Sequence, residues 1–426
     1  MKVLVVGGGG REHALVWALS RSSQVKKLYC TPGNPGIEAL AECTDIGCEG
    51  TAAICDFAES KGVDLVVVGP EAYLAAGVID ELRKRGITAF GPTKAAARIE
   101  TDKAFAKQLM ERKRIPTARF RQFDNPTDAE AYVKTLTPPI VVKANGLAAG
   151  KGVTIAQSHK EAVEFIRAIM NERIFGDAGD LVIIEEFLVG EEASVLAFCD
   201  GRHVVPLEAA QDHKRAYDGD TGPNTGGMGA YSPVSIVDDA MLKRVVDEIL
   251  IPAVEGLAEE GTPYIGVLYA GLMIGPDGPK VVEFNARFGD PEAQAVLPRL
   301  RTDLADVMQA CANGDLDGVT LEFLEDSAVC VMMTSSGYPG HYQTGYEIKG
   351  LDRVRDREDV IVFHSGTSLH NGRLVTSGGR VLGVTALGSG IRDAANRAYE
   401  AVRSIKFENA RYRTDIGFRE MARVSG

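Results

Sequence analysis

The first hundred residues alternate between short apolar runs and stretches of helical spacing, and few folds accept that rhythm. KVLVV at 2–6, KKLYC at 26–30, DLVVVG at 64–69 and ITAFG at 87–91 have the length and composition of strands. Between them, 11–20, 51–61 and 74–85 carry helical spacing. Strand–helix alternation of this kind predicts a doubly wound parallel sheet. The strand ends run into Gly- and Pro-rich turns: GGGGRE at 7–12, PGNPG at 32–36, GPEA at 69–72 and GPT at 91–93. Ligands of such sheets sit outside the carboxyl ends of the strands.

The rhythm changes after residue 100. A helix is expected over 101–114, then a small mixed block over about 119–188 that reads as a separate lid. Within it, PIVVKANGLAAGKGVTIA (139–156) predicts strand, loop, strand, and 160–171 a helix. LVIIEEFLVGEEASVLAF (181–198) supplies two more strands, and a long helix is expected over 238–260. From about Ala328 the chain becomes a strand-rich tail closed by a helix at 391–404. The expected division is 1–101, 102–325 and 326–426, an α/β and α+β multidomain chain.

VVEFNARFGDPE (281–292) carries the most chemistry. On a strand, Glu283, Asn285 and Arg287 share one face, while Val282, Phe284 and Ala286 point into a core. A carboxylate, an amide oxygen and a guanidinium together suit a divalent cation beside an anion: Mg²⁺ takes hard oxygen ligands, and Arg grips phosphate or carboxylate. A solvated edge strand would also account for these residues alone, but Asp290 and Glu292 follow at once in a turn.

The loop QDHKRAYDGDTGPNTGGMGAYSP (211–233) is the second signal. Twenty nearly non-apolar residues inside a compact domain are either disordered or binding something. Lys214 and Arg215 followed by Gly226, Gly227 and Gly229 are the parts of an anion cradle.

GGGG at 7–10 fails the dinucleotide fingerprint, because Glu12 or His13 stands where the last Gly belongs. What is left is a structural turn or a helix N-terminus suited to phosphate, with Arg11 adding charge. GLAAGKG (146–152) fails the P-loop pattern: its first two glycines are one residue too close, and Gly152 stands where Ser or Thr is required. A Gly-rich loop tipped with Lys151 can still close over a triphosphate. Lys143 lies inside an apolar run, either snorkelling from an edge or paired with a phosphate. In EEFLVGEE (185–192), the backbone could read adenine and Glu191 or Glu192 the ribose, although an acidic turn explains the residues as well.

Net charge of −12 argues against nucleic acid as partner, and no apolar run reaches membrane-span length. Seven scattered cysteines without a C-x-x-C pair fit reduced thiols and a cytoplasmic location. No histidine spacing suits zinc, and no serine elbow is present.

GGREHAL, VGPEA, FGPT, KANGLAAGKGV, IEEFLVGEEAS, QDHKR with GPNTGGMGAYSP, YAGLM, VVEFNARFGDPE and YPG follow one another along essentially the whole chain. In this order they resemble the ATP-grasp family and, within it, the glycinamide ribonucleotide synthetases. The resemblance implies an ATP-grasp core with a small lid. It implies a ligase joining glycine to 5-phosphoribosylamine through glycyl phosphate, with ATP as co-substrate and Mg²⁺ or Mn²⁺ as cofactor, acting as a monomer. It places metal on Glu283 and Asn285, and ATP on Lys103, Lys143, Lys151, Glu185, Glu186, Phe187, Leu188 and Glu192. It places phosphoribosylamine on Gly10, Arg11, Gly69, Glu71, Asp212, Asn224, Thr225 and Gly226, and the reaction at Arg287, Asp290 and Lys214.

Overall fold

The computed structural model describes residues 1–46, 50–148 and 151–424. Loop glycine Gly150 and one of the cysteines, Cys48, lie outside the described residues. Four main sheets organise the chain. The N-terminal sheet is parallel, with Lys2–Gly7 at its centre between Lys27–Pro32 and Leu65–Val68, and with Glu42–Cys43 and Ala89–Phe90 at its edges. Val3 to Val6 are wholly buried, as expected of a strand covered on both faces. The chain order reverses between Lys2–Gly7 and Leu65–Val68, so the Gly7 and Gly69 turns flank the switch-point crevice. The helix expected over 74–85 is two short ones, Glu71–Ala76 and Val78–Lys84, broken at Gly77, whose φ of +86° suits glycine.

Phe120–Phe123, Val182–Glu186, Ile140–Ala144 and Val153–Ala156 form an antiparallel sheet, with helices Pro126–Val133 and His159–Met170 belonging to the same unit. Val133, Ile140, Val142, Ile166, Ile169, Val182 and Ile184 make a core of their own. The N-terminal sheet, by contrast, shares its cores with the central antiparallel sheet of Val204–Pro206, Glu191–Asp200, Ile265–Gly275 and Gly278–Asn285.

That central sheet departs from simple alternation. Gly271 faces Glu283 but Leu272 faces Val281, leaving Val282 as a bulge. Val281, not Val282, therefore joins Phe284 and Ala286 in the core, and Val282 lines the cleft. The bulge leaves Glu283, Asn285 and Arg287 together on the cleft wall.

The last sheet takes Ser327–Thr334, Arg380–Gly388 and Val360–His364 from the tail, and Gln211–Asp212 and Gly229–Ser232 from the loop. Helix Ile391–Ser404 packs on it, burying Ala394, Ala398, Ala401 and Val402. Among the described residues no helix is long and apolar enough to cross a membrane.

Candidate active site

A cleft of about 930 Å³ opens where the lid, the central sheet, the N-terminal crevice and the tail meet. Its chemistry centres on Glu283. Among the described residues no side chain hydrogen-bonds or ion-pairs with this carboxylate, although four cations surround it. Burial alone would raise its pKa. Lys214, Lys143, Lys103 and Arg287 outweigh burial and hold it below the usual carboxylate range. Asn285 adjoins it on the same strand face, its Oδ1 accepting only a long bond of 3.4 Å from Arg287. An ionised carboxylate and an amide oxygen, both with spare lone pairs among phosphate-sized cations, fit a hard divalent ion. Among the described residues no group of three or more His, Cys, Asp or Glu gathers as a metal cluster.

Arg287 is fixed from two sides. Its Nε lies 3.2 Å from Glu71 Oε2, and its NH2 lies 2.9 Å from Glu100 Oε1. Glu100 also accepts the Ala286 N–H at 2.7 Å, tying the end of strand Gly278–Asn285 to helix Arg98–Thr101. The sequence reading missed Glu100. Only its partner, far along the chain, marks it.

Two of the lysines, Lys103 and Lys107, sit under the lid on helix Lys103–Arg112, and Lys143 lies on the lid strand Ile140–Ala144. Lys103 Nζ donates to Gly146 O at 2.8 Å, and burial lowers its pKa. Asn145 accepts the Ala104 N–H at 2.7 Å, so this loop is anchored to the start of helix Lys103–Arg112. Lys143 pairs with Glu185 at 3.0 Å and donates to Val282 O at 3.0 Å. The buried ammonium thus has a carboxylate partner in the protein itself. Glu185 also pairs with Lys107 at 3.1 Å. Lys107, another residue missed in the sequence, is lowered to about 8 by burial and by Lys143 despite Glu185. Glu186 turns its side chain to Arg119, while Phe187 and Leu188 line the cleft. Lys151 is exposed and lies outside the lining.

Glu192 and Lys214, which the resemblance gives to ATP and to the reaction respectively, form an ion pair at 2.8 Å. Glu191 accepts from Gln211 at 2.9 Å and pairs with Arg423. Asp212 has no hydrogen-bonding or ion-pairing side-chain partner among the described residues, and burial pushes its carboxyl up to about 8. The 211–231 loop is ordered by the tail: Tyr338 accepts the Gly226 N–H at 2.9 Å, and Arg380 donates to Asp290 O at 2.7 Å and to Gly226 O. Asp290 accepts from Gln294 at 2.7 Å and pairs with Arg380 at 3.2 Å. Asn224, Thr225 and Gly226 all line the cleft. Arg380 was not singled out by the sequence, since it is one of many charged residues in the tail and no motif surrounds it.

The N-terminal turn differs in one respect from a fully open anion site. Glu12 reaches back to accept the Gly9 N–H at 2.7 Å, so that amide is taken. Arg11 is buried, with Nε 2.6 Å from Glu12 and NH1 4.0 Å from Glu71, and it lines the cleft. Gly10 and Gly69 lie behind the lining. A β-carbon on Gly10 would approach Gln294 Nε2 to 2.6 Å, and one on Gly69 would approach Glu12 Oε1 to 2.1 Å.

A lid with its own core, a central sheet with an acidic strand on the cleft wall and lysines on and beneath the lid define a nucleotide-dependent ligase of the ATP-grasp kind. Residues 1–100, 101–293 and 328–419 match the family models for the N domain, the ATP-grasp (A) domain and the C domain of phosphoribosylglycinamide synthetase. The chain is 49% identical to the phosphoribosylamine–glycine ligase of Brucella melitensis biotype 1, over 99% of each. A crystal structure of the Thermotoga maritima phosphoribosylamine–glycine ligase is similar with a TM-score of 0.85 and 33% identity, covering 98% of this chain and 100% of that one. The biotin carboxylase of Campylobacter jejuni shares the fold alone, with a TM-score of 0.71 and 14% identity over 96% of this chain and 92% of that one. The chain belongs to the phosphoribosylglycinamide synthetase family of ATP-grasp ligases.

Proposed function

We propose that this chain joins glycine to 5-phosphoribosylamine at the expense of ATP, giving glycinamide ribonucleotide, ADP and phosphate in de novo purine biosynthesis. The observation that carries the reading is Glu283, an ionised carboxylate with no side-chain partner among the described residues, in a cleft ringed by cations.

The glycine carboxylate must approach the ATP γ-phosphate, and two anions resist that approach. Lys103 and Lys143 neutralise the phosphates, and Arg287, braced by Glu71 and Glu100, holds the glycine carboxylate and then its acyl phosphate, with Asp290 beside it. Glu283 and Asn285 would hold Mg²⁺ or Mn²⁺, which when bound would withdraw charge from the phosphate oxygens. The backbone around Glu186, Phe187 and Leu188 takes the adenine. Glu192 takes the ribose and in doing so releases Lys214 toward the reacting groups. The lid, about 119–188 with Lys151 on its loop, excludes water from the labile acyl phosphate. The amine of phosphoribosylamine then displaces phosphate, without a protein nucleophile.

The sugar phosphate occupies the N-terminal crevice, at Gly10, Arg11, Gly69 and Glu71, closed by Asp212 and Asn224–Gly226. Segment 1–101 thus serves the sugar phosphate, 102–325 the nucleotide and metal, and 326–426 clamps the cradle loop. The enzyme works as a cytoplasmic monomer on small molecules. Phosphate release from ATP, Mg²⁺ and glycine should depend on added phosphoribosylamine. Arg11→Ala should raise KM for phosphoribosylamine strongly and leave KM for ATP nearly unchanged, the pattern of lost uniform binding. A rise in KM for ATP instead would refute the crevice assignment.

A further inference from the structure

Two thiols outside the cleft face each other beneath the N-terminal crevice. Cys30 lies on strand Lys27–Pro32 and Cys43 on strand Glu42–Cys43, and the parallel pairing sets them opposite one another. Opposed residues of a parallel pair point to the same face of the sheet. Neighbouring strands run about 4.8 Å apart, inside the roughly 4.4–6.8 Å window between the Cα atoms of a disulfide. Both side chains converge under Gly33: a β-carbon there would lie 2.4 Å from Cys43 Sγ and 3.7 Å from Cys30 Cβ. Cys30 is buried and Cys43 partly exposed, whereas Cys55, Cys199, Cys311 and Cys330 are all buried. The neighbouring sulfur lowers the Cys43 pKa and raises that of Cys30. The accessible sulfur is therefore the one with more thiolate character, and a second sulfur stands next to it. That is the arrangement of an attacking and a resolving cysteine.

We propose that Cys30 and Cys43 form a reversible disulfide, driven by a small-molecule disulfide, that loosens the sugar-phosphate crevice. The Cys43 thiolate attacks one sulfur of the external disulfide and expels the first small thiolate. Cys30 then gives up its proton and attacks Cys43 Sγ, expelling the second. One sulfur–sulfur bond breaks and one forms: two protein thiols are oxidised, and one external disulfide is reduced to two thiols.

The crevice feels the change through its glycine turns. Cys30 Sγ–H donates to Gly7 O at 3.2 Å, and the Gly33 N–H donates to the same oxygen at 3.2 Å. Gly8 sits so close to Gly33 that a β-carbon on it would lie 2.4 Å from Gly33 O. Oxidation removes the thiol donor to Gly7 and draws the Cys43 sulfur out from under Gly33. The Gly7 turn, which flanks the crevice, and the Gly33 turn packed against it each lose a support. This consequence rests on the crevice being the phosphoribosylamine site; formation of the bridge does not.

The test treats the full chain with oxidised glutathione, alkylates remaining thiols after denaturation and maps the peptides by mass spectrometry. A Cys30–Cys43 crosslink that dithiothreitol reverses and that Cys43→Ser abolishes is expected, and Cys30→Ala should instead trap a glutathione adduct on Cys43. Free, alkylated Cys30 and Cys43, a lasting glutathione adduct on Cys43 of the unmodified sequence, or a bridge from Cys43 to Cys48 would each overturn the proposal. On the oxidised enzyme, KM for phosphoribosylamine should rise several-fold while KM for ATP holds. A crosslink that moves neither constant overturns the crevice effect. A crosslink that moves only KM for ATP overturns the crevice assignment and leaves the thiol pair standing.

Discussion

Glu283 is suited to a metal because no side chain among the described residues claims it. Its neighbours Glu71, Glu100 and Glu185 are each committed to Arg or Lys, and Glu292 accepts from Tyr269 at 2.9 Å and from Ser194 at 3.2 Å. Glu283→Gln keeps the shape and removes the charge. It should lower kcat by at least about 10²-fold, the scale of losing one preorganised electrostatic group, with an unchanged circular dichroism spectrum. Near-normal turnover at saturating Mg²⁺ would show that this strand face does not hold the ion. Glu283, Asn285 and Arg287 were legible in the sequence because period two puts them on one face. Glu100, Lys107 and Arg380 were not. Each earns its place through a partner remote in the chain: Arg287, Glu185 and Asp290 respectively. Local pattern carries no trace of such pairs. Glu12 was visible as part of GGGGRE, but its return to the Gly9 amide needed the turn geometry.

At the scale of elements, periodicity located the longer strands and several helices, missed the short strands, and erred where a local irregularity broke the period. The bulge at Val282 shifts one residue between core and cleft, and Gly77 splits a helix. The 211–231 loop carries too few apolar residues to signal strands, yet it contributes two to a sheet whose hydrophobic face comes from the tail. The lid was legible as a block because its helices and strands close on a private core, with no apolar cluster shared with the rest. Two connections hold it. Near residue 117 the chain is pinned, since Thr117 Oγ1 donates to Val281 O at 2.7 Å. At 187–190 it is not, and Val189 is 76% exposed. An element with its own core and an exposed connection can move as a unit at little cost in buried area. Amide exchange should therefore be faster for 146–153 and 187–190 than for Gly278–Asn285 in the free protein, and slower in both segments once ATP and Mg²⁺ are added. Exchange that nucleotide leaves unchanged would exclude a closing lid.

At the scale of the molecule, the N-terminal and tail segments are joined through a pair of neutral imidazoles. The His364 N–H donates to His13 Nδ1 at 2.8 Å, the rings lie 5.6 Å apart, and Asn34 Nδ2 donates to both Gly8 O and His364 O at 2.9 Å. No sequence motif announces this joint, because its halves lie at opposite ends of the chain and each alone is an ordinary core residue. Burial, and then His364, lowers His13 to about 3; burial lowers His364 to about 4. Near the rings stand Thr367, Phe363 and Trp17, none of which can stabilise an imidazolium by charge. The folded protein therefore refuses protons that the unfolded chain accepts near 6.5. The joint contributes its full stability above about pH 6.5 and loses it progressively as pH falls toward 4 and then 3. Buried carboxylates with lowered pKa add their own acid lability only below the ordinary carboxylate range, and Asp212, raised to about 8 by burial, acts in the opposite sense, so the acid loss in the upper part of the window belongs to imidazoles, buried His213 among them. His13→Asn keeps an acceptor for the His364 N–H and removes the titrating ring. The decline in Tm between pH 6.5 and 5 should be shallower in this variant than in the parent, with similar Tm slopes at higher pH. Parallel curves for the two proteins through that interval would mean the imidazole pair does not govern how the two ends of the chain hold together in acid.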